Sequence, residues 1–363
     1  MTLLKRRWFF VAVTALGALL LAWLAGEALV FVTCGKQISM FPRYVAPAQY
    51  GEFSIRRNEP LSRYRHKSYD GAWEFRINRR GFRDDRDFPY DKTPGVKRIL
   101  VLGDSFTAGY EVSQADSFSA QLEGILRGKG LNVEVINSGV SGFSTAEELV
   151  FLEQEGLKYQ PDAVVLAYFT NDPEDNVRAG IYGLNDGQLT VLRKDYLPYV
   201  DLRGFLEKIP PYRWLGENSY LHNYLNSALT LYAKELLRRK NAGQMTGQAA
   251  DQKAQDIEAY QNDLTRMLLQ KIAEVCRRNR LYFVLMDIPV MLLDQPVPEM
   301  IPSLPRDPRF HAVADATLEM LPVLQPYHER GETLYRPHGK RHWTELSHRL
   351  AAEKLADLLS EKL

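Results

Sequence analysis

RILVLGDSFTAGY, residues 98–110, is the stretch from which the rest of the chain is read. Ile99 to Leu102 is a run of four apolar residues, the pattern of a strand covered on both faces. Gly103 permits a sharp turn. Ser105 is thereby left at the carboxyl end of the strand, with a helical pattern following. In open α/β sheets ligands bind at that edge. Gly, Asp and Ser are also ordinary turn residues, so the tripeptide alone leaves a plain strand-ending turn equally open.

Working outward, strand, turn and helix repeat. Phe118, Leu122, Ile125 and Leu126 share a helical face, and VEVIN (133–137) reads as a second strand. Ser144 and Glu147 form a capping box opening the next helix, which Gly156 can close. PDAVVLAY (161–168) is a third strand. Ile257, Tyr260, Leu264, Leu268, Ile272 and Val275 mark a long amphipathic helix. LYFVLMDIP (281–289) is a fourth strand, ETLYRP (332–337) a short fifth, and residues 344–363 a closing helix. Such alternation predicts a parallel sheet with helices on both faces. Residues 176–239, rich in Tyr, Leu, Trp and Pro, read as an insertion packed against the sheet's edge, and the polar stretch 240–256 as a mobile loop.

The chain has 363 residues and a net charge of +1, which supplies no global field to recruit nucleic acid. Its two cysteines, Cys34 and Cys276, allow no disulfide framework, and no zinc spacing is present. The amino terminus differs from the rest. Lys5, Arg6 and Arg7 precede an apolar run from Trp8 to Thr33. A bilayer needs roughly 20 residues, and the run continues past any small-residue cleavage pattern. The expectation is a cytoplasmic tip (1–7), an uncleaved transmembrane signal-anchor (8–33) and an extracytoplasmic remainder, as the basic cluster dictates. Residues 34–97 form a polar approach segment in which AWEFRIN (72–78) alternates as a half-buried strand.

Three turns follow three strands, carrying Ser105, Gly139 (NSGVSG) and Asn171 (YFTND), and HWTELSH carries His342 before the last helix. Acyl transfer needs these parts: a serine nucleophile, a histidine base and donors for the oxyanion. Ser105 and Gly139 N–H groups and the Asn171 amide are the candidate oxyanion hole. Each residue also has a bland reading as turn former, helix cap or surface histidine, with His338 and His348 close by. Their appearance together, each at a strand end, points to chemistry.

VLGDSFTAG, VINSGVSGFST, FTND and RHWTELSHRLAAEKL resemble the four blocks of the SGNH (GDSL-type) hydrolase family over residues 98–176 and 280–363. RINRRGFRDDRDF before the first block resembles membrane-anchored bacterial members. The resemblance implies a three-layer α/β/α sandwich with a flavodoxin-like parallel sheet over 98–363, an insertion at about 176–256, no metal or cofactor, and ester substrates. It makes Ser105 the nucleophile, His342 the base, and Ser105, Gly139 and Asn171 the oxyanion hole. The family usually places an aspartate two or three residues before its histidine. Gly339 and Lys340 stand there, and no acid lies between Glu332 and His342. A backbone carbonyl or a remote acid such as Glu332 or Glu345, a slow Ser–His dyad, or lost chemistry remain as readings. The expected function is a membrane-anchored extracytoplasmic serine esterase acting on acyl, chiefly O-acetyl, esters of cell-surface polysaccharide. The alternatives are an O-acetyltransferase using the same residues, or an inactive binding module. If the chain is an under-powered hydrolase, an aspartate at 339 or 340 should raise activity.

Overall fold

β5 (Lys97–Gly103) is buried from Arg98 to Gly103, as its apolar run requires. The computed structural model describes residues 3–40, 45–195, 204–206, 208–246, 254–292, 298–339 and 341–363. In chain order before β5 come α1 (Leu3–Cys34), β1 (Val45–Tyr50), β2 (Phe53–Asn58), β3 (Arg63–Ser68) and β4 (Gly71–Arg76). After it come α2 (Phe118–Gly128), β6 (Val133–Asn137), α3 (Thr145–Gln154), β7 (Ala163–Tyr168) and α4 (Asp172–Ala179). A hairpin of β8 (Tyr182–Asn185) and β9 (Gln188–Val191), then α5 (Pro210–Asn218), α6 (Tyr220–Thr246) and α7 (Ala254–Arg278) follow. The chain ends with β10 (Tyr282–Asp287), the short pair β11 (Val290–Leu292) and β12 (Glu299–Ile301), α8 (Pro308–His311), β13 (Ala316–Glu319), α9 (Leu321–Glu329) and α10 (Glu345–Ser360).

The central sheet has the order β6-β5-β7-β10-β13, with every pairing parallel. Counted along the chain this is 2-1-3-4-5, the flavodoxin-like order, and the direction of travel reverses at β5. Alternate residues feed two cores. Leu100, Leu102, Leu166 and Leu285 pack with α3 and α7 residues such as Leu149, Leu264 and Leu268. Ile99, Val101, Val165 and Met286 pack under Leu122 of α2 and Leu355 of α10. These are the three layers read from the sequence.

Four local expectations change. The fifth strand is Ala316–Glu319, and ETLYRP contributes only an isolated bridge between Tyr335 and Trp343. Gly156 does not close α3 in a left-handed turn; a Cβ there would lie 2.7 Å from Leu100, so it lets the turn pack on β5. The left-handed residue of that region is Gln160, with φ 52°. The insertion covers helices and the edge of the β1–β2 hairpin: the Tyr260 hydroxyl of α7 accepts the Leu184 N–H, α6 packs beside α1 and α4, and the Ser54 N–H of β2 donates to the Lys194 carbonyl at 2.8 Å. Residues 240–246 complete α6 and α7 begins at 254, while 247–253 and Lys340 lie outside the described residues.

Residues 35–97 are more than an approach. β1–β2 leans on α3, where Arg56 pairs with Glu147 at 3.2 Å. β3–β4 carries Tyr64 and Phe75 onto Tyr110, in the turn beyond β5. Trp73 is half-buried beside them, and Glu74 and Arg76 face outward, as the alternation of 72–78 requires.

Candidate active site

The turn after β5 is fixed by local chemistry. Gly103 sits at φ 151°, and a Cβ there would collide with the Thr107 side chain. Asp104 Oδ1 accepts the Phe106 N–H at 2.9 Å, and the Ala108 N–H donates to the Asp104 carbonyl at 3.0 Å. Burial pushes the Asp104 carboxyl above its usual range. Ser105 is thereby left partly exposed at the sheet edge.

Its Oγ lies 2.8 Å from His342 Nε2. The other ring nitrogen, Nδ1, faces Glu111 Oε2 at 3.3 Å, and the His342 backbone N–H donates to the same oxygen at 3.2 Å. Serine, histidine and carboxylate therefore form one chain of contacts, and the carboxylate belongs to neither place the sequence suggested. Glu345 pairs with Arg336, and Glu332 is exposed. Gly339 has φ 66°, and a Cβ on it would stand 2.8 Å from Glu111 Oε1, so Glu111 fills the space beside the usual acid position.

Glu111 is fully buried, and its φ of 65° is unusual for a residue with a side chain. Burial alone would raise its carboxyl. Hydrogen bonds with His342 and His66 outweigh that and hold it well below the usual range. His66 Nε2 stands 3.5 Å from Glu111 Oε1. Burial pushes the His66 ring below its usual value and favours its neutral form, while the Glu111 carboxylate pulls the other way. The backbone of Glu111 is held as well: Arg336 donates to its carbonyl at 2.9 and 3.2 Å. Arg83, fully buried, donates to the Ala108, Gly109 and Val112 carbonyls around it.

The remaining predicted residues lie in the adjoining turns. Gly139 follows β6; a Cβ on it would strike the Thr107–Ala108 backbone, so only glycine lets this turn approach that of Ser105. Its N–H donates to Asn137 Oδ1 at 3.1 Å. Asn171 follows β7 at the start of α4 and gives one Nδ2 hydrogen to Asp175 at 3.0 Å, leaving its second. Of the neighbouring histidines, His338 pairs with Asp70 at 2.6 Å. His348 Nδ1 accepts the Phe118 N–H at 3.2 Å, and burial pushes this ring down to about 3, which makes it a neutral core residue. Deeper in the molecule, burial raises the Glu148 carboxyl, with Asp104 adding to the effect, and raises Asp172 beside Glu148.

A model of the GDSL-like lipase/acylhydrolase family matches residues 101–311, more than half of the chain. The chain belongs to the GDSL-like lipase/acylhydrolase family. An arylesterase of Vibrio mimicus is 37% identical over 76 residues, which span 21% of this chain and 38% of that relative. Among solved structures, the esterase EstA of a Pseudoalteromonas species is 13% identical at a TM-score of 0.39, over 73% of this chain and 98% of that one. A two-domain esterase active on acetylated mannans is 13% identical at 0.40, over 73% and 49%. The match of this acylhydrolase-family chain to the family model stops before His342, so the Ser105–His342–Glu111 relation stands on geometry.

The sequence reading missed Glu111 although the quoted stretch ends one residue before it. The available signal was a lone carboxylate between apolar Tyr110 and Val112, six residues beyond Ser105. His66 had no signal beyond its inward phase on β3.

Proposed function

We propose that this acylhydrolase-family chain is a membrane-anchored, extracytoplasmic serine esterase that removes acyl groups, of O-acetyl size, from cell-surface glycans. The observation that carries the chemistry is the contact chain Ser105 Oγ, His342 Nε2, His342 Nδ1, Glu111 Oε2. Glu111 fixes the tautomer that leaves Nε2 free to accept the Ser105 proton as Oγ attacks the ester carbonyl. The oxyanion is met by the Ser105 N–H, the Gly139 N–H shared with Asn137, and the second Nδ2 hydrogen of Asn171. His342 returns the proton to the leaving alcohol. It then takes one from the water that splits the acyl-serine ester, restoring Ser105. A carboxylate behind the histidine argues against both a bare dyad and an inactive module. The anchor reading is supported by α1, which alone among the described residues is long and apolar enough to cross a bilayer, and by Lys5, Arg6 and Arg7 before it. The glycan ester follows from that location and the family.

The test is labelling by a serine-reactive fluorophosphonate together with hydrolysis of a small acetyl ester. Ser105→Ala is expected to abolish both. A variant that hydrolyses the ester as well as wild type does would remove Ser105 from the mechanism. A reporter active only in the periplasm, fused after Leu363, is expected to be active; activity of a cytoplasmic reporter there would reverse the orientation.

A further inference from the structure

α1 is not a free tether. It is exposed on every side from Arg6 to Ala22, and from Trp23 onward one side of it meets the domain. Glu27 accepts hydrogen bonds from Ser219 Oγ at 2.9 Å, Leu221 N–H at 3.0 Å and the Tyr220 N–H, capping the first turn of α6. Val30 is buried with Tyr220, Leu221 and Met40. Two residues past α1, the Lys36 carbonyl accepts the Gly339 N–H at 2.9 Å, in the loop of His342.

Helix geometry sets the depth of these joints. The basic cluster keeps residues 5–7 out of the hydrocarbon. A helix rises about 1.5 Å per residue, so a core of about 30 Å takes roughly 20 residues. Counted from Trp8, that length ends at Glu27. On that count the capped start of α6 lies at the outer boundary of the hydrocarbon, the exposed Leu29, Phe31 and Val32 that end the apolar run stand in the headgroup layer, and Lys36 is roughly 13 Å above the boundary.

From that point α6 presents an apolar face without a partner among the described residues. Leu225, Leu229, Tyr232 and Leu236 fall on one stripe at spacings of four, three and four, and Leu229 and Tyr232 are each 67% exposed. Trp214 of α5 is exposed beside them in sequence. α5 is tied to β3 through Arg213, which donates to the Arg63 carbonyl at 3.1 Å. β3 turns Arg63, Arg65 and Lys67 outward, and the last of these pairs through its backbone with Met40, just above the anchor. α5, with Trp214, lies against this row of cations, and the leucine stripe of α6 continues from α5; aromatic, leucine and cationic side chains together match the acyl–headgroup boundary and its phosphates.

We propose that the α5–α6 face and the outward side of β3 rest on the outer surface of the bilayer, and that the Ser105 site works on acyl esters carried at that surface. The inference rests on the anchored-esterase reading above. Its occupant is the lipid interface, and not a second copy of this chain.

The test uses the full-length chain in lipid nanodiscs, with Cys34→Ala and Cys276→Ala and single nitroxide-labelled cysteines at Leu20, Leu229 or Lys129. Power saturation compares collisions with oxygen and with a polar nickel chelate. Leu20 is expected deep in the hydrocarbon, Lys129 in water, and Leu229 at the boundary, with an oxygen-to-nickel ratio several-fold that of Lys129. A Leu229 label as aqueous as Lys129 while Leu20 is buried overturns this inference and leaves the anchor standing. An aqueous Leu20 overturns the anchor reading itself. Spin–spin broadening between Leu229 labels assigns the face to a second copy and also overturns the inference. For the substrate, Leu229→Glu with Tyr232→Glu is expected to lower turnover of a lipid-borne acetyl ester about tenfold and leave p-nitrophenyl acetate unchanged. An equal effect on both esters, or none on either, refutes that part.

Discussion

The sheet edge and the amino-terminal layer are built on different terms. Ser105, Gly139, Asn171 and His342 each follow a strand or precede a helix, and the Ser105 turn is set by its own neighbours Gly103, Asp104 and Thr107. His66, Asp70 and Arg83 come from the β3–β4 layer and the loop after it, and they act across long sequence separations. Ser105 is placed by local backbone chemistry, and its relation to His342 and Glu111 is placed by tertiary packing. Glu111 belongs to both: it sits six residues beyond Ser105 in the same turn region, and its partners are His342 and His66.

The sharpest way to break this comparison is at Glu111. Glu111→Gln keeps the shape and removes the charge that fixes His342. In a serine protease the equivalent change costs about 10⁴ in kcat. A loss of about 10³ to 10⁴ in kcat on a small acetyl ester is expected, and a variant within threefold of wild type would show that Glu111 is not the orienting acid.

Arg83→Met tests the layer as support. It leaves the Ala108, Gly109 and Val112 carbonyls without their buried donor. Unmet buried groups cost about 1–3 kcal/mol each, with partial relaxation. A stability loss of about 3 kcal/mol is expected in urea unfolding. A loss under about 0.5 kcal/mol would mean that the layer is not what holds the turn.

Gly339→Asp reverses the expectation drawn from the family pattern. Glu111 occupies the space, and the backbone is left-handed. The variant should lose about tenfold in kcat/KM, about 1.4 kcal/mol. A gain on the same acetyl ester would show that the two acids can share the histidine.

The smallest expected effect concerns the buried carboxylates. Glu148 is raised in the folded state, so the native chain keeps a proton that the unfolded chain releases. Its presence therefore makes stability fall as pH rises above the unfolded value of about 4.3. Glu148→Gln should remove that slope, so its melting temperature gains on wild type between pH 5 and pH 8. An unchanged difference between the two pH values would place the titration elsewhere.

The strands and the turns that carry Ser105, Gly139 and Asn171 were legible because each follows from a periodicity or a turn chemistry within a dozen residues, whereas the strand order came only from the family resemblance. Residues 98–104 alone imply a buried strand and a glycine turn, and both are present. The fifth strand was misplaced because Ala316–Glu319 is short and only partly buried, with no apolar run to mark it. The acid was missed because its position depends on how the His342 loop folds over Tyr110. No spacing rule links residue 111 to residue 342, and the Gly339–Lys36 contact that shapes this loop joins opposite ends of the chain.

The packing of Gly339 against Glu111 bears on descent. An acid ahead of the histidine and an acid after the serine are not joined by a single substitution that keeps full activity. Adding an aspartate at 339 first sets two carboxylates into one buried space, and losing Glu111 first strands the histidine. Passage between the two arrangements needs a paired change, or a period in which activity is not under selection. A lineage that has crossed is then held there, so acid at 111 and glycine at 339 should be inherited together as one character.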